Sequence, residues 1–100
     1  METYKIKVIF RKYKEGDIIA LFPYEPEFNY KIGCYQHIGQ HGIADYDHVL
    51  EQTKLATFEE YKDLKKELEV CFEYEIETIK RVNRAKMIEQ WRSLHKIYIS

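Results

Sequence analysis

Apolar and basic side chains alternate along the first part of the chain. The apolar positions are Tyr4, Ile6, Val8 and Phe10, and the basic positions are Lys5, Lys7 and Arg11. A period of two residues predicts a half-buried β-strand with a basic outer face. The polar segment 14–17 then predicts a turn, and the apolar segment 18–22 predicts a second strand that ends at Pro23 and forms a hairpin with the first.

A third strand is predicted over residues 30–38, because apolar side chains again occupy alternate positions. In this strand we expect Cys34 to face the core, and Tyr35 and His37 to lie on the polar face. Glycines end the strand. The following stretch 43–53 predicts a loop that contains at most one helical turn.

The first predicted helix begins at a capping box. The Thr57 hydroxyl can accept a hydrogen bond from the Glu60 amide, while the Glu60 side chain reaches back to the Thr57 amide. Apolar side chains follow at helical spacing at Phe58, Tyr61, Leu64 and Leu68. We expect this helix to end near Val70.

Apolar and acidic side chains alternate directly after this helix. The apolar positions are Phe72, Tyr74 and Ile76, and the acidic positions are Glu73, Glu75 and Glu77. The pattern predicts a fourth strand with an acidic outer face. Because opposite charges on neighbouring strands attract each other, we expect this strand to lie beside the basic first strand.

A second helix is predicted from about residue 83 to residue 96, with Asn83 as its N-cap. Its narrow apolar stripe consists of Met87, Trp91, Leu94 and Tyr98. The elements therefore follow in the order β-β-β-α-β-α. This order predicts a single α+β domain over residues 1–100, with a four-stranded, mainly antiparallel sheet and both helices packed on one face.

Charge is distributed unevenly, although the net charge of the chain is −1. The segment 57–79 carries a net charge of −5 and the segment 80–100 a net charge of +5. Basic side chains contact phosphates, and an aromatic ring stacks on bases. The residues that we predict to bind a partner or nucleic acid are Lys80, Arg81, Arg84, Lys86, Trp91, Arg92 and Lys96. In the alternative interpretation, these cations complement the helix dipole and pair with the acidic segment. The sequence leaves both interpretations open.

Three of the four histidines lie within residues 33–48, together with three of the four glycines. The candidate metal ligands are His37, His41, Asp45 and His48. Imidazole and carboxylate groups bind zinc and other transition metals, so a metal-dependent hydrolase or nuclease is the alternative function. The glycines disfavour a helix here, and the four-residue spacing of two histidines then has no geometric meaning. The second interpretation is that the imidazoles bond loop carbonyls.

No motif for catalysis or for a cofactor is present in the sequence. Cys34 and Cys71 lack the spacing of paired metal ligands, and no segment has the roughly 20 apolar residues that a membrane span requires. We therefore expect a cytoplasmic protein with reduced thiols and no cofactor. It is expected to act without catalysis, as a monomer or a homodimer.

Four ordered segments carry a resemblance to a protein family. They are Phe-Arg-Lys-Tyr at 10–13, Ile-Ala-Leu-Phe-Pro at 19–23, Tyr-Gln-His-Ile-Gly-Gln-His-Gly at 35–42 with Ala-Asp-Tyr at 44–46, and Ala-Thr-Phe-Glu-Glu-Tyr at 56–61. Over roughly residues 6–82 the chain resembles small uncharacterised proteins encoded by phages and mobile elements of Bacteroidetes-type bacteria. The resemblance implies a phage accessory role but brings no known activity and no catalytic residues.

Small phage proteins of this kind often bind host machinery, including RNA-guided nucleases and other defence systems. By this analogy of context, we expect a non-enzymatic protein that binds a host protein or nucleoprotein. An anti-defence inhibitor such as an anti-CRISPR protein is one form of this function. The C-terminal basic helix is the expected binding element, with RNA or DNA as a direct contact.

Overall fold

The computed structural model describes residues 5–27, 31–36 and 40–99, except for the side chains of residues 40 and 95–99. The strands are β1 (Ile6–Tyr13), β2 (Ile18–Glu27), β3 (Lys31–Gln36), β4 (Gln40–Ala44), β5 (Thr53–Leu55) and β6 (Ile76–Thr78). The helices are α1 (Tyr46–Gln52), α2 (Phe58–Cys71) and α3 (Arg84–Ile99). None of the described helices is long and apolar enough to cross a membrane.

The strands form one sheet in the order β4-β3-β2-β1-β5, and β6 pairs with β1. All pairs are antiparallel except β1 with β6. The α+β class, the antiparallel sheet and the β1–β2 hairpin are thus confirmed. The predicted count of four strands and the order β-β-β-α-β-α are wrong. The additional elements β4, α1 and β5 lie within residues 40–55, where we predicted only a glycine-containing end of the third strand and a loop with at most one helical turn.

The helices lie on both faces of the sheet. On one face, Leu64 and Leu68 of α2 pack with Val8, Phe10 and other side chains of the central strands. On the opposite face, α1 and α3 pack against Ile9 and its neighbours. The prediction that the helices share one face is therefore wrong.

The reason for this error lies in β1. Lys7 and Arg11 indicated a solvent-facing side of the strand, but Ile9 lies between them and is 1% exposed. The neighbouring Phe10 is 2% exposed on the other face. A strand that is buried on both faces needs an apolar run rather than strict alternation. In β3, Tyr35 is 1% exposed for the same reason, although we predicted it on the polar face, while the inward orientation of Cys34 is confirmed.

The second strand continues through two prolines. We predicted its end at Pro23, whereas β2 extends to Glu27. The pairing of β2 with β3 shifts in register between Phe22 and Pro26, so the prolines coincide with the irregular part of the ladder. Because proline has no amide hydrogen to donate, such an irregularity is where a strand accommodates it.

The pairing of the first strand with the acidic strand is confirmed. Lys7 of β1 stands opposite Glu77 of β6, and Lys7 Nζ lies 3.8 Å from Glu77 Oε2. However, β6 covers only Ile76–Thr78, which is shorter than the predicted strand. Phe72 is the C-cap of α2, and Glu73 turns the chain with a φ of 55°.

Side chains cap all three helices. The predicted capping box of α2 is present, with both the Thr57 and the Glu60 side chains bonded to backbone amides. The Asn83 side chain accepts from the Lys86 amide, which confirms it as a cap of α3. Asp45 caps α1 by accepting from the His48 amide at 3.2 Å. Local side-chain bonds therefore fix where each helix begins.

Candidate functional site

Met87 and Trp91 of the predicted apolar stripe of α3 face the sheet, and the Tyr98 side chain lies outside the described residues. Met87 is 2% exposed and belongs to the core cluster on that face. Trp91 packs against the same cluster, and its indole N–H donates to the Lys31 carbonyl at 2.8 Å. The indole thus fixes α3 on the sheet. For this reason we do not include Trp91 in the surface described below, although we had predicted that it binds the partner.

One predicted cation of α3 is paired within the molecule. An Arg84 guanidinium nitrogen lies 2.7 Å from Asp47 Oδ1 in α1, and the guanidinium lies over the Tyr46 ring at 5.5 Å. The hydrogen bond to Asp47 raises the pKa of Arg84, so this side chain is charged and held towards α1. The alternative interpretation of the sequence is that these cations pair with carboxylates of the same chain. Arg84 does so, but its partner belongs to α1 and not to the acidic segment 57–79.

The other flank of α3 brings three lysines together around one tyrosine. Lys86 Nζ lies 4.6 Å from the centroid of the Tyr24 ring, and Lys7 Nζ lies 5.8 Å from it. The Tyr24 hydroxyl accepts from the Asn83 amide at 2.8 Å. Lys5 joins these residues in lining a cavity of about 200 Å³, which Glu25 also lines. We name Lys5, Lys7 and Lys86 around Tyr24 the lysine cradle.

Further predicted cations project into solvent. Lys80, Arg81 and Arg92 are exposed, and none of them forms an ion pair with another residue that the structure describes. The Lys96 side chain lies outside the described residues. Together with the lysine cradle, these three residues form what we name the α3 basic surface: Lys5, Lys7, Lys80, Arg81, Lys86 and Arg92.

The acidic helix lies on the opposite face of the sheet. The carboxylates of α2 are Glu59, Glu60, Asp63, Glu67 and Glu69. The ion pairs that the structure gives for α2 join Glu59 to Lys62 and Glu60 to Lys12 of β1. No ion pair between described side chains joins α2 to α3. The −5 and +5 segments are therefore close in sequence, but the sheet separates the two helices that they contain.

The predicted metal cluster is not assembled by the residues that the structure describes. The His41 ring packs against the rings of Tyr35 and Phe72 at 4.7 and 4.8 Å, on the face that α2 covers. Asp45 caps α1 and His48 is exposed on that helix. Within 5–27, 31–36 and 40–99, no group of three or more histidine, cysteine or acidic side chains is placed to hold a metal ion. His37 lies outside the described residues.

Two larger cavities lie elsewhere on the molecule. One of about 430 Å³ is lined by lysines and polar side chains around Thr53 and Glu51. Another of about 270 Å³ contains Cys34 and His41 in its lining. Burial raises the pKa of the Cys34 thiol, which keeps this group protonated and therefore a poor nucleophile. Neither cavity combines a nucleophile with an oriented base among the described side chains.

Sequence reasoning identified the cations of α3 but missed Lys5 and Lys7 as members of the same surface. Periodicity placed them on an outer strand face, and the charge pattern paired them with the glutamates of β6. Their proximity to Lys86 depends on which face of the sheet α3 covers. No short segment of the sequence indicates which face α3 covers.

Comparison of the chain with models of protein families, with curated proteins and with solved structures gives no match. The functional interpretation therefore depends on the geometry of the molecule itself.

Proposed function

We propose that this protein is a non-enzymatic binding protein that engages a host nucleoprotein through the α3 basic surface. The observation that supports this proposal most directly is the separation of the acidic and basic helices by the sheet. Lys80, Arg81 and Arg92 are exposed and lack carboxylate partners among the described residues. Their charge is therefore available to an external anion.

Screening strengthens this argument. The Debye length is about 8 Å at physiological ionic strength, and exposed charges farther apart than this barely interact. A helix with its side chains is about 10 Å across, so the outer faces of α2 and α3 lie farther apart than that length. The carboxylates of α2 consequently do little to neutralise the α3 basic surface. A polyanion that approaches α3 meets a positive local field despite the net charge of −1.

Nucleic acid is the favoured anionic component of the partner. Lysine and arginine bind phosphates without sequence preference, and binding releases counterions. The resemblance to phage and mobile-element proteins supports a host nucleoprotein as the target. Inhibition of an RNA-guided defence nuclease through contact with its bound nucleic acid is the form of this function that we propose.

The direct test is binding of a fluorescently labelled RNA or DNA oligonucleotide at low and at physiological salt. In the double variant R81E/R92E, we expect binding to weaken by at least about tenfold, because two phosphate contacts become repulsive. The matched control is K62E/K66E, which makes the same change in net charge on exposed positions of α2. We expect the control to stay within about threefold of the wild type. Equal losses in both variants would contradict the proposed surface.

The partner itself can be sought by affinity capture from host lysate, with and without nuclease treatment. We expect the wild type to retain a nucleoprotein whose yield falls after nuclease treatment and in R81E/R92E. Addition of the purified protein to an RNA-guided nuclease tests the anti-defence form, because a protein bound to the nucleic acid of the complex lowers the cleavage rate. Absence of binding to nucleic acid at low salt, together with no retained partner, would refute the proposed function.

A further inference from the structure

The lysine cradle has the features of a discrete phosphate site within the α3 basic surface. Its three cations come from two separate elements, since Lys5 and Lys7 belong to the start of the sheet and Lys86 to the first turns of α3. Two of the ammonium groups lie within 6 Å of the centroid of the same Tyr24 ring. We propose that the lysine cradle binds a phosphodiester group of the nucleic acid in the partner, an inference that rests on the proposed function.

Tyr24 lies between the lysine cradle and the protein core and is fixed by its own contacts. Its hydroxyl accepts from the Asn83 amide at 2.8 Å, directly before α3 begins. Its ring belongs to the side chains packed against the core cluster under α3. A ring fixed at both ends offers its π-face to Lys7 and Lys86, and such cation–π contacts orient ammonium groups without neutralising them. The positive charge therefore remains available to a ligand.

The cavity suits a small oxyanion. Its volume is about 200 Å³, and Gln90 adds an amide to the lysines that line it. Ammonium groups that converge in one cavity repel each other, and an anion between them removes this repulsion. Among the described carboxylates, Glu25 lines the cavity, and Glu77 Oε2 lies 3.8 Å from Lys7 Nζ. In the described lining of the cavity, three lysines outnumber one carboxylate, so the lining is net positive.

The occupant is a phosphodiester of an extended chain. The same helix carries Arg92, and Lys80 and Arg81 precede it, so further cations of the α3 basic surface come before and after Lys86 along the chain. Successive phosphates of a nucleic-acid strand can use such a series of positions, whereas a free phosphate uses one. This difference separates the two sources of a phosphate group in an experiment.

The experiment measures binding of a labelled single-stranded RNA oligonucleotide across a range of salt concentrations. In K7Q/K86Q we expect the slope of log K against log salt to fall by about 1.4, because each lost contact with a single strand removes about 0.7. The matched control K62Q/K66Q, on α2, keeps the wild-type slope. The variant K7R/K86R retains the charges and is expected to bind within about threefold of the wild type.

The outcomes separate this inference from the proposed function. If R81E/R92E binds RNA weakly while K7Q/K86Q keeps the wild-type slope, the cradle is refuted and the proposed function stands. If the wild type binds no RNA, the proposed function and the assignment of a phosphodiester both fail. A titration with inorganic pyrophosphate, followed by NMR at the Lys86 and Tyr24 amides, then shows whether the cradle takes free phosphate. Tight pyrophosphate binding with no preference for RNA would overturn the phosphodiester assignment.

Discussion

Glu60 shows how a single side chain can serve two elements. Its carboxylate accepts from the Thr57 amide at 2.9 Å, which closes the capping box of α2. The same carboxylate accepts a hydrogen bond from Lys12 Nζ, which ties the helix to β1. A charged form that receives these bonds is favoured over the protonated form. At the scale of the residue, the result is a lowered pKa.

The pH dependence of protein stability should reveal the contribution of the Glu60 carboxylate. The bond from Lys12 and the bond from Thr57 lower the pKa of Glu60 from its ordinary value of 4.5 to about 2. Because the folded pKa lies below the unfolded one, the contribution of Glu60 is present above pH 4.5 and is lost as the pH falls towards 2. We expect the difference in melting temperature between the wild type and E60Q to shrink across this interval.

The control for this measurement is E59Q, which removes a neighbouring exposed carboxylate paired with Lys62. Exposed pairs of this type contribute little to stability, so E59Q should follow the wild type closely at each pH. An equal pH dependence of E60Q and the wild type would contradict the role assigned to Glu60.

At the scale of the element, α2 packs against the sheet through a few buried side chains. Leu68 is 0% exposed and packs with Phe10 and Phe22 in the cluster on that face, whereas Val70 on the same helix is 67% exposed. Phe10 also stacks on Tyr61 with ring centroids 4.4 Å apart. The buried face of the helix therefore contributes to stability through packing, and the exposed face contributes almost nothing.

Truncation of Leu68 tests this difference between the faces. We expect L68A to lower the free energy of unfolding by about 2 to 5 kcal/mol, because it removes buried methyl groups and leaves a cavity. The control V70A, on the exposed face, should stay within about 0.5 kcal/mol of the wild type. Urea denaturation followed by circular dichroism measures both. Similar losses in the two variants would contradict the packing of α2.

Elements with strong local signals could be predicted, and short ones could not. The cap at Thr57 and the spacing of the apolar positions fix α2 within the segment itself, and both were predicted. The strand β5 has three residues, and its contacts with β1 include the bonds from the Arg11 guanidinium to the Thr53 hydroxyl and carbonyl. Those partners lie 42 positions apart, so no window of the sequence contains the signal.

The same limit applies to the candidate surface. The cations of α3 could be predicted because they are concentrated in one segment. The inclusion of Lys5 and Lys7 in the α3 basic surface could not be predicted, because it depends on which face of the sheet α3 covers. Trp91 carried two predictions, as a member of the apolar stripe and as a ring that stacks on bases. The ring packs against the core, as the helical spacing predicts.

At the scale of the whole molecule, the sheet separates the acidic helix α2 from the layer that contains the basic helix α3, which we name the basic layer. The pair of Arg84 with Asp47 lowers the positive potential at one edge of the basic layer. Removal of one carboxylate should therefore change the affinity for a polyanion near α3 but not on α2. A change near α3 alters the field that a polyanion meets, and a change on α2 does not.

The variants D47N and D63N test this asymmetry, since each removes one exposed carboxylate. We expect D47N to bind a labelled RNA oligonucleotide about two- to fivefold more tightly, because Arg84 is released to the basic layer. D63N, on α2, should bind like the wild type. Anisotropy titrations at low salt measure the effect, which should vanish at high salt. Equal gains in D47N and D63N would show that net charge alone governs binding.

The parallel pairing of β1 with β6 also has a consequence for biosynthesis. Residues 6–8 hydrogen-bond with residues near 76–78, and the Ile79 amide donates to the Val8 carbonyl at 2.9 Å. A ribosome delivers the chain from its amino end, so the flank of β1 next to β6 stays open until residues 76–78 have left the exit tunnel. During that interval the exposed edge is a place where another nascent chain or a chaperone can pair.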